Sequence, residues 1–141
     1  MFVGSKTEVA LLGLAKDLKW PSYHDTRQKA DVVEVIPFSS ERKASGVLIK
    51  LPNGKYRLLL KGASEILSKK CTRHVVVQNP SKGSLPDSEN IELTEIDELG
   101  RDNISRTIIF YANQMLRTIA LCYRDMDTLP DAEKVRNISN R

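Results

Sequence analysis

Apolar and polar positions along the chain follow two periods, one helical and one extended. Near the start, Ser5 and Glu8 form a capping-box pattern, and the apolar positions that follow recur on one helical face, at Leu11, Leu14, Ala15 and Leu18. This pattern predicts a helix from about Ser5 to Lys19 that ends before the next proline. The segment from Tyr23 to Ala30 fits either a short second helix or a charged linker.

The middle of the chain is rich in β-branched and apolar residues and predicts strands. Val32 to Ile36 forms one such run. Two more, Gly46 to Leu51 and Lys55 to Leu60, flank Pro52-Asn53-Gly54, a turn signal typical of a β-hairpin. A helix is expected next, beginning where Gly62 lets the chain turn tightly.

The second half of the chain mixes short strands with one long helix. In chain order we expect a helix over Ala63 to Lys70, a strand over Val75 to Val77, a loop over Asn79 to Asn90, an amphipathic helix from about Thr94 to Met115, and a strand over Thr118 to Tyr123. Gly100 is expected to break the long helix in two. In the last strand Ile119, Leu121 and Tyr123 alternate on one side, as in a half-buried strand.

Together these elements predict an α+β fold, an antiparallel sheet flanked by helices. The 141 residues fit one domain, 1–141, in which 126–141 is a polar C-terminal segment. The apolar runs are too short to cross a bilayer. The net charge is +4 with acidic and basic residues interleaved, which fits a small anion better than a nucleic-acid track.

Cysteine usage and missing motifs narrow the chemistry. Cys71 and Cys122 are the only cysteines; they lack metal-ligand spacing and are expected to stay thiols in a reducing compartment. The sequence contains no glycine-rich phosphate loop of the Gly-x-x-x-x-Gly-Lys type and no nucleophile–base set. We assign no metal site and no catalytic residue.

Two short blocks carry the most specific chemistry, Pro37-Phe38-Ser39-Ser40-Glu41-Arg42-Lys43 and Lys61-Gly62-Ala63-Ser64-Glu65. A base can stack on Phe38, and a lysine ammonium acts as a point charge for phosphate oxygens. Lys61 ends an apolar strand just before a predicted helix N-terminus, where an anion is favoured. The two blocks therefore predict a site for ATP.

These blocks resemble the nucleotide-binding (N) domain of P-type ATPases. Two outlying motifs agree in order, Gly4-Ser5-Lys6-Thr7-Glu8-Val9-Ala10-Leu11-Leu12 and Leu116-Arg117-Thr118-Ile119-Ala120-Leu121-Cys122-Tyr123-Arg124-Asp125, so that the resemblance covers nearly all of the chain. The first motif has Phe38, Ser40 and Arg42-Lys43 in an order that most resembles the corresponding motif of plasma-membrane-type calcium pumps. The resemblance implies a fragment of that domain, incomplete at both ends.

The resemblance implies nucleotide-binding roles for Glu8, Phe38, Ser40, Lys43, Lys61, Gly62, Arg117 and Ile119. Phe38 would stack on adenine, Glu8 would accept a hydrogen bond from the adenine amino group, and Lys61 would lie deep in the pocket. Lys43 and Arg117 would lie toward the phosphates, and Ile119 would add apolar area against the base. Ser40 stands where some relatives have arginine, so only a hydroxyl donor is expected there.

Each of these residues also has an ordinary structural explanation. Phe38 fits a core aromatic beneath the hairpin, and Lys43 and Lys61 fit solvated surface charges. Glu8 is explained equally by the helix cap. Arg117 is also explained by an ion pair or by a favourable charge at a helix C-terminus. Ile119 is also explained as a core residue.

The resemblance further implies a role in an ATP-driven calcium pump. ATP would carry Mg²⁺ whose protein ligands lie mostly outside this fragment, and the fragment alone is not expected to be active because no aspartate here is followed by Lys-Thr. The implied partners are ATP and the phosphorylation and actuator domains of the same pump, with no nucleic acid and no direct membrane contact. The implied location is the cytosolic side of an integral protein of the plasma membrane or an internal membrane.

Two other interpretations of the residues stay open. One is a non-catalytic interaction domain that binds an acidic peptide or a phospholipid head group in a basic pocket. The other is a small RNA-binding module, which the interleaved acidic residues disfavour.

Overall fold

The computed structural model describes residues 5–76 and 92–130. Within these residues there are four helices, α1 (Lys6–Asp17), α2 (Tyr23–Lys29), α3 (Ser64–Lys70) and α4 (Glu98–Asn113). The same residues form six strands, β1 (Asp31–Ser39), β2 (Ala44–Lys50), β3 (Tyr56–Ala63), β4 (Arg73–Val75), β5 (Leu93–Glu95) and β6 (Ile119–Met126). The predicted α+β class is confirmed.

The strands form two antiparallel sheets. The main sheet has the order β1-β2-β3-β6, and β4 pairs with β5 in a separate two-stranded ladder. β6 pairs with β3 along its whole length, from Tyr56 opposite Met126 to Ala63 opposite Ile119. The predicted hairpin between β2 and β3 is confirmed, with Gly54 at a φ of 82° in the turn.

One face of the main sheet, the core face, carries the buried apolar residues. Its centre is Ile36, Leu48 and Leu58, and Tyr56, Leu60 and Met126 pack against this centre. On one strand these residues are two apart, as side chains on one face of a sheet must be. The core therefore lies on a single side of the main sheet.

The helices α1 and α3 contact opposite faces of this sheet. Cys71, the C-cap residue of α3, contacts Cys122, which lies opposite Leu60 on the core face. Glu8 of α1 contacts Lys61, the next residue along β3, whose side chain points to the other face. We call this second side the open face, and it carries the candidate site.

Several element boundaries differ from the prediction. β1 continues through Pro37 to Ser39, α2 fills the segment left open between a helix and a linker, and β4 lies two residues earlier than expected. β5 was not predicted. The expected loop over Asn79 to Asn90 and the end of the polar C-terminal segment lie outside the described residues.

The prediction that Gly100 breaks the long helix is wrong. α4 runs unbroken from Glu98 to Asn113, and Gly100 lies in its first turn, where its N–H donates to the Asp97 side chain at 2.7 Å. An N-cap aspartate satisfies a backbone donor that the helix itself leaves unpaired. Gly100 therefore belongs to the start of the helix.

The predicted buried side of the last strand is also wrong. Leu121 is 64% exposed and shares the open face with Ile119 and Tyr123, whereas Cys122 and Met126 lie on the core face. Alternation was predicted correctly, but the core uses the other set of side chains. No helix within the described residues has the length and apolar character that a membrane span requires.

Candidate functional site

A pocket of about 530 Å³ lies between α1 and the start of β6. Its lining residues are Lys6, Thr7, Ala10, Leu11, Leu14, Arg117 and Ile119. Most of this wall is apolar, with the cationic side chains of Lys6 and Arg117 added to it. A volume of this size falls in the range of small-molecule sites, and an apolar wall with a few polar groups is their usual composition. Two predicted site residues, Arg117 and Ile119, therefore line one cavity.

An ion pair joins two further predicted residues across the fold. The Lys61 ammonium donates to Oε1 of Glu8, linking β3 to α1. The two side chains are 32% and 49% exposed, so the pair is accessible from solvent. An ammonium has three hydrogens and a carboxylate has two oxygens, so this contact uses only part of each group's capacity. Both groups keep the means to bind a ligand.

Ser5 sets the start of α1 next to Glu8. Ser5 caps α1, and its Oγ accepts a hydrogen bond from the Glu8 N–H at 3.3 Å. The Ser5 half of the predicted capping box is thus confirmed, and it uses the backbone of Glu8, whereas the Glu8 carboxylate contacts Lys61. The cap and the ion pair do not compete, because they use different atoms of Glu8.

A β-bulge exposes Phe38. In the β1–β2 register, Ile36 lies opposite Gly46 and Ser39 opposite Ala44, which leaves one extra residue on β1. Ile36 and Ser39 thus share the core face, so Pro37 and Phe38 lie together on the open face. Phe38 is 64% exposed, which rules out the core alternative.

Strand register relates Phe38 to Lys61. Ser45 follows Ala44 on β2, lies opposite Lys61 on β3, and so shares the open face with it. Phe38 precedes Ser39, the partner of Ala44, and shares that face as well. The aromatic ring and the ammonium predicted to act together therefore lie on the same side of the sheet.

The last four residues of the first motif, Ser40 to Lys43, form the turn between β1 and β2. Arg42 donates from Nη2 to the Pro37 carbonyl at 2.7 Å and so ties the turn to the bulge. Lys43 has a φ of 51°, and its N–H donates to the Ser39 carbonyl at 2.7 Å. Ser40, in the same turn, is exposed. Arg42 thus supports the placement of Phe38.

Gly62 is required by a close approach of two backbones. A Cβ on Gly62 would lie 2.4 Å from the Lys43 carbonyl oxygen, which also accepts a hydrogen bond from the Ala63 N–H at 3.0 Å. The prediction of a tight turn at Gly62 is wrong, because this residue continues β3 and α3 begins only at Ser64. Gly62 instead lets the Lys43 turn dock against the end of β3.

A charged pair occupies the open face farther from the pocket. Arg57 donates to both carboxylate oxygens of Asp125, at 2.7 and 2.9 Å, and its guanidinium lies 4.7 Å from the centre of the Tyr123 ring. The hydrogen bond from Arg57 holds the pKa of Asp125 below its ordinary value. The opposite charges of Arg57 and Asp125 cancel each other, whereas the pocket is lined by two cationic side chains, Lys6 and Arg117. The pocket end of the face is thus the better anion site.

Sequence reasoning missed the α1 side of the pocket. Thr7, Leu11 and Leu14 line it, and their spacing of four and three residues is that of one helical face. Lys6, beside the predicted Glu8, also lines it. The helical pattern was visible in the sequence, but a solvent-facing pocket and a buried core produce the same pattern.

Comparison with known proteins gives a consistent result. Residues 1–140 match the family described as P-type ATPase, cytoplasmic domain N. The chain is 59% identical over 132 residues to Calcium-transporting ATPase 2 of Cryptococcus neoformans var. grubii, which is 93% of this chain and 9% of that protein. It is 38% identical to Plasma membrane calcium-transporting ATPase 4 of Bos taurus, over 89% of this chain and 10% of that protein.

The human Plasma membrane calcium-transporting ATPase 1 is 39% identical over 127 residues, 87% of this chain and 9% of that protein. The chain thus spans about a tenth of the length of these relatives.

Proposed function

We propose, from the premise that this chain belongs to the P-type ATPase family as its cytoplasmic domain N, that it binds ATP for a calcium-transporting pump. In this proposal the domain holds adenine and phosphates so that the γ-phosphate can be transferred to an aspartate on another domain. That transfer would drive Ca²⁺ across a membrane. The relatives, which are calcium-transporting ATPases, support calcium as the transported ion.

One observation carries the ATP proposal: an exposed aromatic, a lysine–glutamate pair and an apolar pocket with a guanidinium all belong to the open face of one sheet. Adenine requires a flat apolar partner, which Phe38 offers. Its amino group requires an acceptor, and Glu8 retains a second carboxylate oxygen. The phosphates require cations, and Arg117 has the forked geometry that suits them. The residues present therefore fit the nucleotide.

Magnesium fits this proposal as a companion of the phosphates. The described residues contain no group of three or more His, Cys, Asp or Glu side chains arranged to hold a metal ion. Mg²⁺ is usually bound through one or two carboxylates together with substrate phosphates and water. We propose that the phosphates deliver the ion and that the phosphorylation domain of the same pump supplies most of its protein ligands.

The domain's contribution to the reaction would be positioning. Phosphoryl transfer depends mainly on orienting the reacting groups and neutralising charge. Phe38 and Ile119 would fix the base, Lys61 and Glu8 would orient it, and Lys43 and Arg117 would lie toward the phosphates. The phosphorylation and actuator domains would complete the site from the other side.

ATP titration followed by amide NMR shifts tests the proposal. We expect shifts concentrated at Phe38, Lys61 and Gly62. Phe38→Ala should weaken ATP binding roughly 5- to 150-fold, the range that loss of one base stack of about 1–3 kcal/mol implies. Phe110→Ala is the matched control, because Phe110 is 59% exposed but lies on α4. Similar losses in both variants would count against adenine stacking.

The same titration separates ATP from other acidic ligands. Lys61→Ala should weaken ATP binding, whereas Lys69→Ala, which removes an exposed lysine on α3, should leave it unchanged. A phosphorylated peptide or a phosphoinositide vesicle that shifts the same amides more strongly than ATP would favour the interaction-domain alternative instead.

A further inference from the structure

The two cysteines of the chain lie in contact although 51 positions separate them. The Cys71 thiol donates to the Cys122 sulfur, with 3.3 Å between the sulfurs. Both side chains are half-buried, and both are free thiols. A disulfide has its sulfurs about 2.05 Å apart, so each sulfur would move by roughly 0.6 Å to form one. The separation is small enough for modest side-chain adjustment to close.

The backbone around this thiol pair is held from several sides. Arg101 of α4 donates to the Cys71 carbonyl at 3.1 Å, and Ile96 donates its N–H to the Thr72 carbonyl at 2.9 Å. Cys122 is fixed within β6 by pairing with Leu60 of β3. Two sulfurs held this way behave as a preformed pair, which raises the rate of a reaction between them over that of separate thiols.

We propose that Cys71 and Cys122 form a reversible oxidation site, a dithiol that a small peroxide converts to an intramolecular disulfide. The sulfur of Cys71 attacks one oxygen of the peroxide, the O–O bond breaks, and a sulfenic acid and water result. The sulfur of Cys122 then attacks that sulfur, forming the S–S bond while the S–O bond breaks and water leaves with the remaining thiol proton. In total, two thiols and one hydrogen peroxide give one disulfide and two waters.

The order of the two steps follows from the surroundings of Cys122. Burial, together with the contact with the Cys71 sulfur, raises the pKa of the Cys122 thiol to about 12, so it stays protonated at neutral pH. Thiolates are the reactive form, so the first attack belongs to Cys71. We expect slow oxidation, followed by rapid closure because the second sulfur is already in contact. A dithiol would reverse the reaction by exchange.

The bond would tie the end of α3 to the strand that carries part of the pocket. Cys71 caps α3, and Cys122 lies three residues after Ile119 on β6. A crosslink closing a long loop stabilises the folded state by restricting the unfolded chain. This modification is independent of ATP binding, so its failure would leave the proposed function intact.

The test is to expose the purified full chain to hydrogen peroxide at neutral pH. We expect both thiols to disappear together, a mass loss of two hydrogens, monomer mobility on a non-reducing gel, and one proteolytic peptide linking Cys71 to Cys122. Dithiothreitol should restore both thiols. The melting temperature should rise by several degrees on oxidation and return on reduction.

Three results would overturn the proposal: sulfinic acid at either cysteine of the wild-type chain, a disulfide-linked dimer, or thiols unchanged under conditions that oxidise the urea-unfolded chain. Cys71→Ser and Cys122→Ser serve as controls. Each should lose the mass change and the rise in melting temperature, because the remaining sulfur has no partner. The wild-type measurement stands even if a variant folds poorly.

Discussion

At Gly62 the turn that contains Lys43 packs directly against the end of β3, so a larger side chain does not fit there. A Cβ there would lie 2.4 Å from the Lys43 carbonyl oxygen and 2.8 Å from the Ala44 Cα, both backbone atoms that cannot swing aside. We expect Gly62→Ala to lower the free energy of unfolding by about 1–3 kcal/mol, the usual cost of overpacking. Urea denaturation would measure this change.

Gly13→Ala is the matched control for that substitution. Gly13 lies in α1, and an added Cβ meets nothing within 4 Å. Alanine favours a helix interior over glycine, so we expect a gain of about 0.5–1 kcal/mol instead of a loss. Equal effects of the two substitutions would show that the close approach at Gly62 does not restrict its side chain.

At the residue level, the sequence identified candidate site residues but did not show which of them contact one another. The exposure of Phe38 results from one extra residue between Ile36 and Ser39, and no local pattern shows that β1 bulges there. Glu8 and Lys61 were each assigned a role, yet their ion pair joins positions 53 residues apart. Such contacts depend on how α1 packs against the sheet, which is a tertiary property.

At the level of elements, α1 is the most weakly anchored part of the candidate site. No residue of α1 is buried, and the described ion pair that ties it to the sheet is Glu8–Lys61. An exposed pair contributes up to about 1 kcal/mol. We expect Glu8→Gln to speed hydrogen exchange of the α1 amides by up to roughly fivefold, a ratio that corresponds to that free energy.

Asp102→Asn is the matched control for α1. It also changes a carboxylate to an amide, but its ion pair with Arg106 lies within α4. We expect unchanged exchange in α1 and at most a small effect in α4. Unchanged α1 exchange in Glu8→Gln would mean that apolar contacts alone hold this helix in place.

The β3–β6 pairing carries a pH-dependent contribution at Arg57 and Asp125. The hydrogen bond from Arg57 lowers the pKa of Asp125 below its ordinary value of 3.8. A lowered folded-state pKa stabilises the fold above the ordinary value, and this stabilisation is lost as the pH falls through the folded-state pKa. We expect Asp125→Asn to cost at most about 1 kcal/mol at pH 7, since the carboxylate is 39% exposed.

That cost should shrink at low pH. Urea denaturation of wild type and Asp125→Asn at pH 7 and near pH 2 would measure it. The difference between the two proteins should be smaller at the lower pH, because a larger fraction of Asp125 is protonated there and the wild type then loses the charge that the variant lacks. A difference that stays constant with pH would mean that the charge of Asp125 does not contribute to the stability of the fold.

Elements with strong local signals were predicted, and those set by distant partners were not. The hairpin around Gly54 depends on local turn chemistry and was found. β5 has only three residues, Leu93–Glu95, and exists because β4 pairs with it. In β6 both sides of the strand are apolar, so alternation alone did not reveal that Cys122 and Met126, and not Leu121, belong to the core face.

At the level of the whole molecule, the two faces of the main sheet have different tasks. The core face stabilises the fold, and the open face carries the candidate site. Leu58 on β3 is 1% exposed at the centre of the core face, whereas Leu121 on the neighbouring β6 is 64% exposed on the open face, opposite Lys61. The same side chain thus occurs on both sides of one sheet. Replacing each leucine by alanine compares the two faces directly.

We expect the two replacements to have opposite profiles. Leu58→Ala should lower the free energy of unfolding by about 2–5 kcal/mol through the cavity it leaves, while its folded fraction binds ATP normally. Leu121→Ala should change that free energy by less than about 0.5 kcal/mol, because it removes no core contact. It should weaken ATP binding, because Leu121 lies opposite Lys61 on the open face, where the proposed nucleotide site lies. Denaturation and nucleotide titration of both variants measure the two effects. A large stability loss in Leu121→Ala would mean that the open face is part of a second core, and the ligand would then have to bind elsewhere.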